Sequence, residues 1–127
     1  MMKIQRFAAA TGKFIELNNE ISAVATDLVA LTSTTDGIVF DCKKYANDRL
    51  MFIIMNSHAT AAKDAKILKP SNGGYAAEDT DLTIDDIAAG AYAVAYVETA
   101  RYANNNGTIV ITGESTDIKA VAVVLGR

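Results

Sequence analysis

From Ala91 to Leu125 the side chains alternate with a period of two, and this pattern restricts the possible folds more than any other feature. Tyr92, Val94 and Tyr96 fall on one face of an extended strand, and Ala91, Ala93, Ala95 and Val97 on the other. Thr108-Ile109-Val110-Ile111-Thr112 and the run Ile118 to Leu125 follow, both rich in β-branched residues. Period two with β-branching predicts pleated strands with at least one buried face. On such a face aromatic rings most often fill a core or an interface, which is the expectation for Tyr92 and Tyr96.

The same grammar runs upstream. Thr32 to Gly37 reads as a turn, with Gly37 free to take positive φ. Ile38, Phe40 and Cys42 then alternate with Val39 and Asp41, predicting a strand. Asn47-Asp48 is a turn signal before Leu50-Met51-Phe52-Ile53-Ile54-Met55, a continuous apolar run of strand length that predicts a central strand buried on both faces. Asn56 to Lys63 reads as a polar connection, Ala65 to Leu68 as a short strand ended by Pro70, and Leu82-Thr83-Ile84 as another. Asp85 to Gly90, Asn104 to Gly107 and Gly113 to Asp117 supply turns. Short strands separated by Gly, Asn, Asp and Ser predict a mainly β fold, an antiparallel β-sandwich of jelly-roll-like type, rather than βαβ units.

At 127 residues the chain has room for one core. We divide it into an N-terminal arm, residues 1–31, and a sandwich domain, residues 32–127. In the arm, Phe14, Leu17, Ile21, Val24, Leu28 and Leu31 are spaced as an a/d seam, the mark of an amphipathic helix. Val24, Val29, Thr26 and Thr32 favour strands instead, so a partial helix and two short strands both remain open. On either reading the six apolar residues form a stripe that must be covered, and they are the candidate interface.

Chemistry-bearing residues are few. The net charge of −3 and the lack of a basic stripe argue against nucleic acid, and no apolar run approaches the ~20 residues of a membrane span. The apolar run Phe7 to Ala10 is shorter than a signal-peptide core, so the chain is expected to stay in a cytosol-like compartment. Cys42 is the one cysteine and alternates with Ile38 and Phe40, which predicts a buried free thiol. His58 is the one histidine; without a partner cysteine or histidine it is a poor metal ligand, and no G-x-S-x-G surrounds Ser57, Ser71 or Ser115. Glu78, Asp79, Asp81, Asp85 and Asp86 lack EF-hand spacing and read as a solvated acidic loop. Asn106-Gly107-Thr108 fits a glycosylation sequon but is also what a hairpin turn looks like, and a turn is the expectation. Tyr92, Tyr96 and Tyr102 with Arg101 are the remaining candidates, as a stacking platform for sugars or bases. No catalytic residue, metal or cofactor is assigned, and no enzyme activity is expected.

One likeness spans about 90 residues, from Asp36 to the C-terminal strand. It rests on Asp36-Gly37-Ile38-Val39-Phe40, the polar turn Asn47-Asp48, the apolar strand Leu50 to Met55, and Ala89-Gly90 before Tyr92 to Val97. Glu98-Thr99-Ala100-Arg101-Tyr102, Gly107-Thr108-Ile109-Val110-Ile111 and the closing strand Val121 to Leu125 complete it. In this order of elements the chain resembles small virion proteins of tailed bacteriophages, of the capsid decoration (cement or auxiliary head) type. The resemblance implies a β-sandwich that binds the outside of an assembled shell and stiffens it, with the major capsid protein or other virion proteins as partners. It also implies homo-oligomers, often trimers, location in the virion, and no cofactor. A tail, neck or fibre-base protein of the same fold, and a carbohydrate- or peptide-binding β module, are the alternatives.

Overall fold

A computed structural model of the chain describes residues 10–16, 27–71 and 77–126. The alternating stretches form strands. They are β1 (Ala10–Thr11), β2 (Phe14–Glu16), β3 (Val29–Ala30), β4 (Ile38–Asp41), β5 (Arg49–Asn56), β6 (Lys63–Ile67), β7 (Leu82–Ile87), β8 (Tyr92–Glu98), β9 (Thr108–Gly113) and β10 (Ile118–Gly126). One helical turn, α1 (Thr99–Tyr102), follows β8, and Lys43–Tyr45 makes a 3-10 turn. No described helix is long and apolar enough to cross a membrane.

Two sheets of five strands form a β-sandwich. The first has the order β1-β4-β9-β6-β7; the second runs β2-β10-β5-β8, with β3 also paired to β10. The sheets are mixed rather than purely antiparallel: β1 runs parallel to β4 and β2 parallel to β10. Both parallel pairings come from the short strands near the N-terminus, while every pairing among β4 to β10 is antiparallel.

The core is filled from β5 outward. Leu50, Phe52 and Ile54 point inward and are fully buried. Their neighbours across the ladder are small: Ile54 sits between Ala93 and Ala120, Phe52 between Ala95 and Ala122, Leu50 between Val97 and Val124. A large side chain flanked by alanines lets the facing layer interdigitate without voids. That layer is Ile38 and Phe40 of β4, Ile67 of β6, and Ile109 and Ile111 of β9, all fully buried. Phe40 meets Phe52 edge-on at 5.0 Å between ring centroids and Phe14 at 5.8 Å. Gly12 lies flat against Phe40, where a Cβ would overlap the ring. Gly37 takes φ 70°, and a Cβ there would run into the Ile111 carbonyl.

Three local readings change. Asp85 and Asp86 continue β7 instead of turning; Asp86 takes φ 56°, beside a register shift in β6 between Lys63 and Ala65. Asn56 closes β5 and is fully buried, rather than opening an exposed loop. Residues 10–16 and 29–31 take part in both sheets, so within the described residues the segment before Thr32 supplies β1, β2 and β3 to the sandwich. Phe14 packs against Phe40 and Tyr45, Leu31 is in the core, and Leu28 packs on Ile15, Val121 and Val123. Leu17, Ile21 and Val24 lie outside the described residues.

Candidate functional site

The two outer faces of the sandwich differ in chemistry. On the first sheet the outward residues include Asp41 opposite Thr108, and Lys66 opposite both Thr112 and Thr83. Among the described cross-strand pairs there, Val39 opposite Val110 is the apolar one. On the second sheet the outward side chains form three largely apolar rows and a fourth, charged one. Tyr92, Met55, Lys119 and Ala30 make the first; Val94, Ile53 and Val121 the second; Tyr96, Met51, Val123 and Ile15 the third. The fourth is Glu98 opposite Arg49, at the C-terminal end of β8; in the other three Lys119 is the one charged residue among those described.

Exposure along the rows rises toward β8. Ile15, Val121 and Val123 are buried and form a second apolar cluster, with Met51 and Ile53 packed against it. At the far end Tyr92 is 51%, Val94 49% and Tyr96 68% exposed. The aromatic face of β8 is therefore not in the core, because Leu50, Phe52 and Ile54 already occupy the interior layer and leave room only for Ala95 and its neighbours. Large apolar side chains grouped on one exposed face mark interaction surfaces in soluble domains.

β8 is also an edge. Its one ladder partner among the described residues is β5, in unbroken register from Arg49 opposite Glu98 to Met55 opposite Tyr92. The Asn56 N–H donates to the Ala91 carbonyl at 3.1 Å, which sets the phase of the ladder. Ala91, Ala93, Ala95 and Val97 bond to β5, so Tyr92, Val94 and Tyr96 direct their N–H and C=O groups to the open side.

A cleft of about 370 Å³ lies at the C-terminal end of β8 and is lined by Tyr96, Tyr102, Arg101, Arg49, Glu78 and Glu98, among others. Three of the four platform candidates thus meet in one place, while Tyr92 stands apart on the strand. Arg101 bonds Glu78 at 3.0 Å and lies 3.6 Å from Glu98. The Glu78 hydrogen bond and the two carboxylates strengthen the guanidinium's hold on its proton. Partial burial, with the Glu78 charge, pushes the Tyr102 phenol up.

The other polar candidates serve local structure. His58 Nδ1 accepts the N–H groups of Thr60 at 3.0 Å and Ala61 at 2.9 Å, so that nitrogen closes a turn. Asp81 accepts the Lys69 N–H at 2.8 Å, and Asp64 the Asp86 N–H at 2.7 Å. Among the described residues no three His, Cys, Asp or Glu side chains come close enough together to hold a metal ion. The Asn106 side chain accepts from the Thr108 hydroxyl at 2.7 Å within the hairpin, where Gly107 takes φ 86°. Cys42 is fully buried, donates to the Phe40 carbonyl at 3.4 Å, and has its thiol pushed up to about 12 by burial and the Asp41 charge. Thr99 is 1% exposed, and its hydroxyl has no hydrogen-bond partner among the described residues; it borders a cleft of about 400 Å³.

Sequence reasoning missed Asn56. Its side-chain amide donates to the Ala61 carbonyl at 2.9 Å and to the Ile87 carbonyl at 2.8 Å, and its carbonyl accepts the His58 N–H at 2.9 Å. It ties β5 of one sheet to β7 of the other. An asparagine beside Ser57 in a polar run carries no signal of burial. No family model matches this chain, and neither curated proteins nor solved structures gave a match.

Proposed function

We propose that the chain is a structural virion protein of a tailed phage, binding the capsid surface and reinforcing the head. The observation that carries this reading is the apolar outer face of the second sheet, open at Tyr92, Val94 and Tyr96 on a sandwich whose opposite outer face is mostly polar. A subunit that stiffens a shell needs a rigid body and one face that gains by leaving water. Burial contributes roughly 25 cal/mol per Å² of apolar surface, so two tyrosines and a valine supply a useful docking energy. The order of turns and strands from Asp36 onward supports the same reading. The test is co-sedimentation of the purified protein with phage shells. Saturable binding that raises the heat resistance of the shells supports the proposal; absence of binding removes it. Localisation to the tail or neck in particle images would move the assignment to the alternative virion position.

A second reading, a carbohydrate- or peptide-binding module, is favoured by the meeting of Tyr96, Tyr102 and Arg101 at one cleft. Stacking on the tyrosines with hydrogen bonds from Arg101 is the recognition mode such a site offers. A glycan array combined with chemical-shift mapping decides it: shifts confined to Tyr96, Arg101 and Tyr102 support the module, and a blank array and peptide screen remove it.

A further inference from the structure

Edge strands are normally guarded against pairing with other chains, by shortness, charge, proline or a bulge. Among the described residues the short N-terminal strands and β7 follow this rule. β1, β2 and β3 are two or three residues long. β7 carries Asp85 and Asp86, has its φ 56° kink at Asp86, and gives the Asp86 N–H to Asp64. β8 differs. It runs seven residues without a bulge, with no charge or proline before Glu98, and its outward hydrogen-bonding residues are Tyr92, Val94 and Tyr96.

Tyr92-Ala93-Val94-Ala95-Tyr96 reads the same in both directions. In an isologous contact about a two-fold axis residue i meets j and j meets i, so a palindrome centred on the axis sets each residue against its own kind. We propose that β8 pairs with β8 of a second copy, antiparallel, about a two-fold axis at Val94. Val94 then opposes itself, and Tyr92 opposes the partner's Tyr96. The three outward-bonding residues of one copy face the same three of the other, so the ladder closes without an orphan group between Tyr92 and Tyr96. Alanine opposes alanine on the inner side. Glu98 opposes Gly90, which takes φ 76° and has open space where a side chain would stand, so no like charges meet. The second sheets of the two copies become one continuous sheet, and their tyrosine rows become one apolar platform on its outer side. A seven-residue edge falls short of the ~1,200 Å² that stable interfaces bury, so the dimer is reversible and concentration-dependent.

The inference goes beyond the virion reading and does not rest on it, because pairing is measured in solution without shells. Sedimentation velocity of the full chain across a concentration series tests it, with two variants at exposed positions that leave the core untouched. The wild type shifts from monomer to dimer as concentration rises. Tyr92→Lys with Tyr96→Lys sets lysine against lysine in both outer pairs and loses the dimer. Tyr92→Lys with Tyr96→Glu sets lysine against glutamate in both pairs and keeps it. A wild type that stays monomeric throughout, or two double variants that behave alike, overturns the proposal.

Discussion

Asn56 and Cys42 show how little a residue's type reveals about its work when its surroundings are unknown. Asn56 is 0% exposed and makes three side-chain hydrogen bonds, two within the loop after β5 and one to Ile87 of the other sheet. Asn56→Ala removes the buried bond to the Ile87 carbonyl and both loop bonds, and losing a buried polar partner costs more than an exposed bond contributes. The expected loss is about 2–4 kcal/mol, read as a lower urea midpoint with an unchanged slope. Cys42 has the opposite character. Its burial makes it inert, so iodoacetamide labels it only as fast as the protein unfolds. Its folded pKa lies above the unfolded value of 9.0, at about 12, so the folded state holds the proton through that interval. The stabilisation from the buried neutral thiol is complete below pH 9 and falls away as pH rises toward 12. Cys42→Ala should remove that part of the alkaline slope in pH-dependent denaturation.

At the scale of elements, β5 and β8 settle each other's orientation. Both were legible as strands, since period two and the apolar run mark them in the sequence. Which face of β8 turns inward was not legible, because the alternation of tyrosine and alanine is symmetric about that choice. Phe52 and Ile54 on β5 decide it: they fill the interior beside Ala95 and Ala93, and the tyrosines are left outside. β2 shows a similar dependence. Its three residues carry no strong strand signal alone, yet Ile15 is buried over β10 and Phe14 packs against Phe40 and Tyr45. Phe14→Ala should therefore destabilise the isolated protein by about 2 kcal/mol, a lowering of several degrees in Tm. A melting temperature equal to wild type would mean that this segment is available for a partner instead.

For the whole molecule, the asymmetry between the outer faces is the property that bears on function. Replacing Tyr92 and Tyr96 with serine should leave Tm within about 2 °C of wild type, because neither ring supports the core. The same double variant should lose shell binding if the apolar face is the docking surface; retained binding would place the contact elsewhere. The sequence by itself determined the fold class, most strand positions, the buried thiol and the scarcity of reactive groups. Those follow from local rules: side-chain period, β-branching, and the φ freedom of glycine at turns. The tertiary structure alone decided that the first sheet's outer face is mostly polar and the second apolar, that Asn56 is interior, and that Tyr96, Tyr102 and Arg101 share a cleft. Each depends on which large side chains fill the space between the sheets, and that packing joins residues far apart in the chain.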